Sequence, residues 1–174
     1  MPPRAAGRRT ETALDAGQAA VPQDDAPVAD ARPPADFETV CAWELHSAAE
    51  LSTLRARLMA ALTSEGHAQG TDLDDVPHRL VLIASELATN AIEHGLPPTT
   101  VTLSRSRTEF LLEVTDHDLE RSPVFATGRG IGEGGIGMYL TRRLSEAMGW
   151  YHQQATKTVW ATFPRHVGRL TPPG

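Results

Sequence analysis

Cysteine is nearly missing from this 174-residue chain: Cys41 stands alone. A disulfide within the chain and a four-cysteine zinc site are therefore both excluded, and such sparing use fits a reducing compartment. Lysine is as scarce. Lys157 is the only one, beside fifteen arginines, and the 16 basic residues are outnumbered by 22 acidic ones for a formal net charge of -6. That balance makes no case for a general nucleic-acid or anionic-membrane binder. No apolar run approaches the ~18–20 residues of a membrane span. Nor does an apolar stretch follow Arg4, Arg8 and Arg9, as a signal peptide would need. The expectation is a cytoplasmic protein with no direct contact to nucleic acid or membrane.

Apolar side chains are also thin over residues 1–37, where six prolines accompany little more than Leu14, Val21, Val28 and Phe37. Such a stretch cannot offset its ordering entropy, so a disordered N-terminal tail is expected there. A single folded domain is expected over 38–165, and a frayed tail over 166–174.

Within the domain the hydrophobic period alternates between two and 3.6. VCAWEL (40–45) reads as a strand. SAAELSTLRARLMAALTSEG (47–66) reads as a helix with Leu51, Leu54, Leu58 and Leu62 on one side. Ser47 and Glu50 form a capping-box pair at its start. A second helix spans 76–94, with Asp74 or Asp75 as cap, Pro77 in the first turn, and Gly95 and Pro97-Pro98 at the end. Residues 98–106 and 108–116 are paired strands, with Phe110, Leu112 and Val114 on one face. A glycine-rich loop covers 117–135. A helix resumes near Ile136 and is closed by Gly149, and WYHQQ with Thr156 to Phe163 forms a last strand pair. This order predicts an α/β two-layer sandwich: a mixed, mostly antiparallel sheet with helices on one face.

Three features carry chemistry. In ELATNAIEHG (86–95), residues four apart stack on one helix face, so Glu86, Asn90 and His94 form a polar stripe. Taken alone, that is an ordinary solvent face. Asn, however, is a weak helix former, and its amide oxygen suits Mg²⁺, while a carboxylate one turn earlier can act as a base. GRGIGEGGIG (128–137) has six glycines in ten positions, which lets backbone N–H groups approach an anion beside a helix start. No GK[ST] follows, so it is no Walker loop, and it lacks the βαβ setting of a dinucleotide fingerprint. Asp116 ends the strand FLLEVTD, where a carboxylate can accept a hydrogen bond from an amine; alone it reads as a turn residue. His117 and Asp118 extend it into a short acidic cluster without further histidines at metal-ligand spacing.

Together these segments resemble the boxes of the GHKL, or Bergerat-fold, ATPases. ELATNAIEH is similar to their N-box, VTD116 to the first G-box, and GGIGMYLTRRLSEAMG (134–149) to the second. The nearest likeness is to the anti-sigma-factor serine kinases of the RsbW and SpoIIAB type, and it extends over about 40–163. The resemblance implies ATP and Mg²⁺ as cofactors. Asn90 would hold the metal against the phosphates, Glu86 would be the catalytic carboxylate, and Asp116 would bind the adenine amine. Arg129, Gly130, Gly132, Gly134, Gly135, Ile136 and Gly137 would form the lid and phosphate-facing loop, with His94 as a further phosphate contact. The implied activity is a protein serine/threonine kinase and anti-sigma factor in transcription regulation. Its implied partners are a STAS-type anti-sigma-factor antagonist and a sigma factor, and a homodimer is implied as well. Two other readings stay open: an ATP-binding interaction switch with little or no transfer, and a regulatory kinase whose partner is not a sigma factor. Two departures bear on the choice. Asp118 stands where the first G-box often has glycine, which predicts weaker ATP binding, and the glycine loop is expanded.

Overall fold

The computed structural model describes residues 28–66, 75–121, 123 and 136–165. Among these residues, five strands and three α-helices follow in chain order: β1 (Glu38–Leu45), α1 (Leu51–Ser64), α2 (Val76–His94), β2 (Thr99–Arg105), β3 (Glu109–Asp116), α3 (Ile136–Leu144), β4 (Ala147–Gln153) and β5 (Thr156–Pro164). The strands form one sheet in the order β1-β2-β3-β5-β4, and every neighbouring pair is antiparallel. One isolated parallel bridge joins Asp30 to Trp150 at its edge.

The helices lie on one face of this sheet. Leu54, Leu58 and Leu62 of α1, four residues apart, are buried, as are Leu80, Ile83, Ala84, Leu87, Ala88 and Ala91 of α2. They meet Phe110, Leu112 and Val114 of β3, with Ala161 and Phe163 opposite on β5. Fully burying one such leucine contributes about 1.5–3 kcal/mol, so this layer dominates the stability. The fold is thus the α/β two-layer sandwich expected.

Local details differ from the sequence reading. The first helix opens with a 3-10 turn over Ala48–Glu50. The Ser47 side chain makes no capping bond, while Glu50 reaches back to the backbone N–H of His46 at 3.2 Å. The third helix stops at Leu144, and Gly149 lies inside β4 rather than closing the helix. The reason is the Trp160 ring on β5, which packs on Gly149 so closely that a Cβ there would come within 2.8 Å of it.

The tail expected over 1–37 also needs correction, because packing begins by Val28. Val28 is buried in the core. Trp150 donates its backbone N–H to Ala29 and accepts from Ala31, at 3.0 and 2.9 Å. The indoles of Trp150 and Trp160 donate to the carbonyls of Val28 and Ala31 at 3.1 and 2.6 Å. β4 and β1 are opposite edges of the sheet, so the link from Ala31 to Glu38 must cross it. The strap crosses on the face away from the helices, where Arg32 stacks 4.6 Å above the Tyr151 ring, and it bends near Asp36, whose φ is 77°. Under this strap Leu111, Trp160 and Thr162 are buried despite pointing away from the helical layer. Residues 1–27 and 166–174 lie outside the described residues.

A charged knot ties the helical layer to the sheet. Glu65, just past α1, accepts from Arg105 at the end of β2 and from Arg165 after β5, while Arg105 also reaches Glu38 of β1 at 3.4 Å. The Arg105 hydrogen bond is the main cause that holds the Glu65 carboxyl below the ordinary carboxylate range.

Candidate functional site

The polar stripe of α2 does not face open solvent. Glu86 and Asn90 are half-buried beneath the start of α3. A Cβ built on Gly137 would lie 3.0 Å from the Glu86 Cβ, 3.1 Å from Glu86 Oε2 and 3.2 Å from Asn90 Nδ2. Glycine at this position lets the third helix settle directly on the two polar side chains, and Thr141 then anchors the helix turn by donating to the Gly137 carbonyl at 2.7 Å. Among the described residues, neither the Glu86 carboxylate nor the Asn90 amide has a hydrogen-bond partner. Two half-buried polar groups in this state keep hydrogen-bonding capacity for water or a ligand.

His94 parts from them. Its side chain is 59% exposed at the helix end, 3.9 Å from Glu93, and its carbonyl accepts from Arg121 at 3.4 Å.

The far end of α2 leads to Asp116. Gly95 passes so close that a Cβ on it would come within 2.7 Å of the Asp116 Cγ and 2.5 Å of the Ala91 carbonyl. The His117 N–H donates to the Leu96 carbonyl at 3.1 Å, which joins the loop after α2 to the end of β3. Asp116 is buried, at 4% exposure. Its Oδ1 accepts the Asp118 N–H at 2.8 Å and lies 3.3 Å from Lys157 Nζ. Lys157 is Asp116's register partner on β5 and donates also to the Arg121 carbonyl at 3.0 Å.

Asp118 is less disruptive than its glycine-like position implied. Only Asp36 and Gln154 among the described non-glycine residues have positive φ, so the turn here uses backbone that any residue adopts. The Asp118 carboxylate accepts the Glu120 N–H at 3.0 Å and lies 3.7 Å from Arg121 Nε, which offsets its charge.

The fold thus brings Glu86, Asn90, Gly137 and Asp116 along one side of α2. Arg129, Gly130, Gly132, Gly134 and Gly135 lie outside the described residues, as does the Ile136 side chain, although Ile136 opens α3. The sequence reading missed two contributors. Gly95 read only as a helix stop, although its neighbour on the sheet demands the missing side chain. Lys157 read only as part of a strand; the signal available was a lone lysine in an arginine-rich chain.

Residues 46–163 match the family model described as the histidine kinase-like ATPase domain. The chain belongs to that family, the GHKL or Bergerat-fold ATPases. No curated protein matches the chain. The match takes in all three helices, β2 to β4 and nearly all of β5. Domains of this kind generally bind ATP with Mg²⁺, and the residues here fit that ligand. Asn90 offers a neutral oxygen suited to a hard cation that keeps most of its ligands as water and phosphate. Gly137, lacking a side chain, packs against the Asn90 amide without displacing it. Among the described residues, no helix is long and apolar enough to cross a membrane.

Proposed function

We propose that this histidine kinase-like ATPase domain is an ATP-dependent protein serine/threonine kinase that acts as an anti-sigma factor. Its substrate is a serine of a STAS-type antagonist protein. The observation that carries the reading is the pair Glu86 and Asn90, half-buried, unpaired among the described residues and walled by Gly137. The likeness of ELATNAIEH and KTVWATF to the RsbW and SpoIIAB type supports the narrower assignment.

Each residue has a distinct task in this reading. Asn90 holds Mg²⁺ through its amide oxygen, and the metal supplies charge neutralisation on the phosphates. Glu86, one turn away, would accept the proton of the incoming serine hydroxyl as the serine oxygen bonds to the γ-phosphorus of ATP and the bond to the departing ADP breaks. Asp116 accepts a hydrogen bond from the exocyclic amine of the base. Arg129 and the glycine run 130–137 take the phosphate contacts that the family resemblance implies for them. His94, exposed at the helix end, is the least constrained of the set.

The test uses purified protein, Mg-ATP and a STAS-domain protein encoded beside it. Asn90→Ala should weaken Mg-ATP binding. Glu86→Ala should retain binding and lose transfer to the partner serine by about 10²-fold or more, the usual worth of a positioned base. Binding without transfer in the wild type would sink the kinase reading and leave an ATP-dependent interaction switch. Transfer to a partner that controls no sigma factor would leave the third reading, a regulatory kinase of another pathway.

A further inference from the structure

Lys157 is the only lysine of the chain, and it is spent in the interior. Its side chain is 8% exposed and that of Asp116 is 5% exposed. A buried ammonium is costly unless it is both paired and hydrogen-bonded. Here it is both: Nζ lies 3.3 Å from Asp116 Oδ1 and donates to the Arg121 carbonyl at 3.0 Å. The cross-strand register fixes the arrangement, since Lys157 lies directly opposite Asp116 in the β3–β5 pair.

The donors around Asp116 converge on a single oxygen. Oδ1 takes both the ammonium and the Asp118 N–H, the latter at 2.8 Å. Oδ2 has no donor among the described residues. On the helix side Gly95 lies within contact of Cγ, so the carboxylate is walled there by backbone. The nearby charges, Asp118 and Arg121, are paired with each other at 3.7 Å.

We propose that Lys157 is a positioning residue for nucleobase recognition. By holding Oδ1, it presents Oδ2 of Asp116 as a fixed acceptor that selects a 6-aminopurine nucleotide over a 6-oxopurine one. The proposal rests on the nucleotide-site reading above. An ionised carboxylate oxygen only accepts hydrogen bonds. A 6-amino group supplies the matching donor, whereas a 6-oxo group sets acceptor against acceptor. Sites built around one obligatory hydrogen bond discriminate strongly for that reason. Without the ammonium, the Asp118 N–H alone would hold the carboxylate. The acceptor would then be free to turn, and the advantage of the amine would fade. The same ammonium fixes the 117–121 segment through the Arg121 carbonyl, so acceptor and adjoining loop are set by one group.

The test compares Mg-ATP with Mg-ITP, which share a triphosphate and differ at the base. On the full-length wild type, ATP should bind at least about tenfold more tightly than ITP, the worth of one hydrogen bond to a charged group. In Lys157→Met, ATP affinity should fall to within about threefold of ITP while ITP affinity changes little. A purely structural role would lower both nucleotides alike, and that result would overturn the proposal, as would an unchanged ATP preference. Lys157→Gln, whose neutral amide keeps a donor for the Arg121 carbonyl, should retain only part of the ATP preference, and a preference equal to wild type would overturn the need for the ammonium. A further readout needs no variant: selective ¹⁵N-lysine labelling gives a single side-chain resonance. That resonance should shift with ATP and stay in place at equal occupancy of ITP, and ATP binding without a shift would overturn the proposal. Failure of the wild type to bind either nucleotide would instead remove the nucleotide site itself.

Discussion

Gly137 lies against Glu86 so tightly that a methyl group on the glycine would stand 3.1 Å from the carboxylate oxygen Oε2. That is closer than ordinary van der Waals contact but short of an impossible clash, so a few tenths of an ångström of movement would absorb it. Gly137→Ala should therefore fold, since alanine is also the better helix former. The movement falls on Glu86 and Asn90. Mg-ATP affinity and phosphoryl transfer should both drop while the melting temperature holds or rises. A variant with wild-type binding and transfer would show that the contact with Gly137 does not shape the site.

Gly95→Ala should behave in the opposite way. Its Cβ would meet the Ala91 carbonyl at 2.5 Å and the Asp116 Cγ at 2.7 Å, and both belong to packed elements. Overpacking of this kind costs about 1–3 kcal/mol. For a domain of this size, a shift of several degrees in thermal unfolding is expected, roughly 2–8 °C per kcal/mol. An unchanged melting temperature would mean that the end of α2 yields more easily than the backbone contact implies.

The Glu65 knot makes an acid-side prediction. The Glu65 carboxyl is held below its ordinary value of 4.5, first by the Arg105 hydrogen bond. A lowered folded-state value means that its contribution to stability is fully present above the unfolded value and is lost as pH falls through the folded one. Stability should decline below pH 4.5, in part through this group. In Glu65→Gln that part of the slope should vanish, while stability near neutral pH falls because Arg105 and Arg165 lose the negative charge they share. Chemical denaturation at a series of pH values measures both effects, and an acid slope equal to wild type would exclude Glu65 as a contributor.

Burial, with a smaller contribution from the Glu65 charge, pushes the Cys41 thiol up to about 11. The thiolate is the reacting form, so alkylation by iodoacetamide at pH 8 should run about 100-fold slower than for an open thiol. The rate should climb steeply as pH passes 10. Mass-spectrometric labelling kinetics on the folded protein check this, and rapid modification at pH 8 would show that the site opens readily.

Much of the scaffold was legible because its signals are local. Pro77 near the start and Gly95 after the end bound α2 at residues 76 and 94, and alternation placed Phe110, Leu112 and Val114 on the inner face of β3. The third helix misled for a definite reason. Leu140, Leu144 and Met148 continue the helical spacing of four, and all three do pack against the core. Met148, however, reaches it from a strand, and what decides this is the Trp160 ring seated on Gly149, a contact between strands that no local pattern encodes. In the site, the Glu86–Asn90 stripe was visible from periodicity alone. Its cover by Gly137, and the pairing of Asp116 with Lys157, depend on chain segments brought together only by the sheet and the helical layer. The strap was hidden for the same reason: a proline-rich stretch with few apolar groups shows no sign of the edge it will clasp.

That strap also dictates an order of events during synthesis. Val28 and Ala31 meet the indoles of Trp150 and Trp160, which lie 122 and 129 residues further along the chain. At ~5–20 residues per second, roughly 6–24 s separate the making of the clasp from the making of what it fastens. Throughout that interval residues 28–37 have no β4 to bind, and the strap can close only once the last hairpin has emerged. On ribosomes stalled before residue 147 this segment should be readily cleaved by protease, and on full-length released protein it should resist. Equal resistance in both would show that the strap finds a partner earlier than its native one.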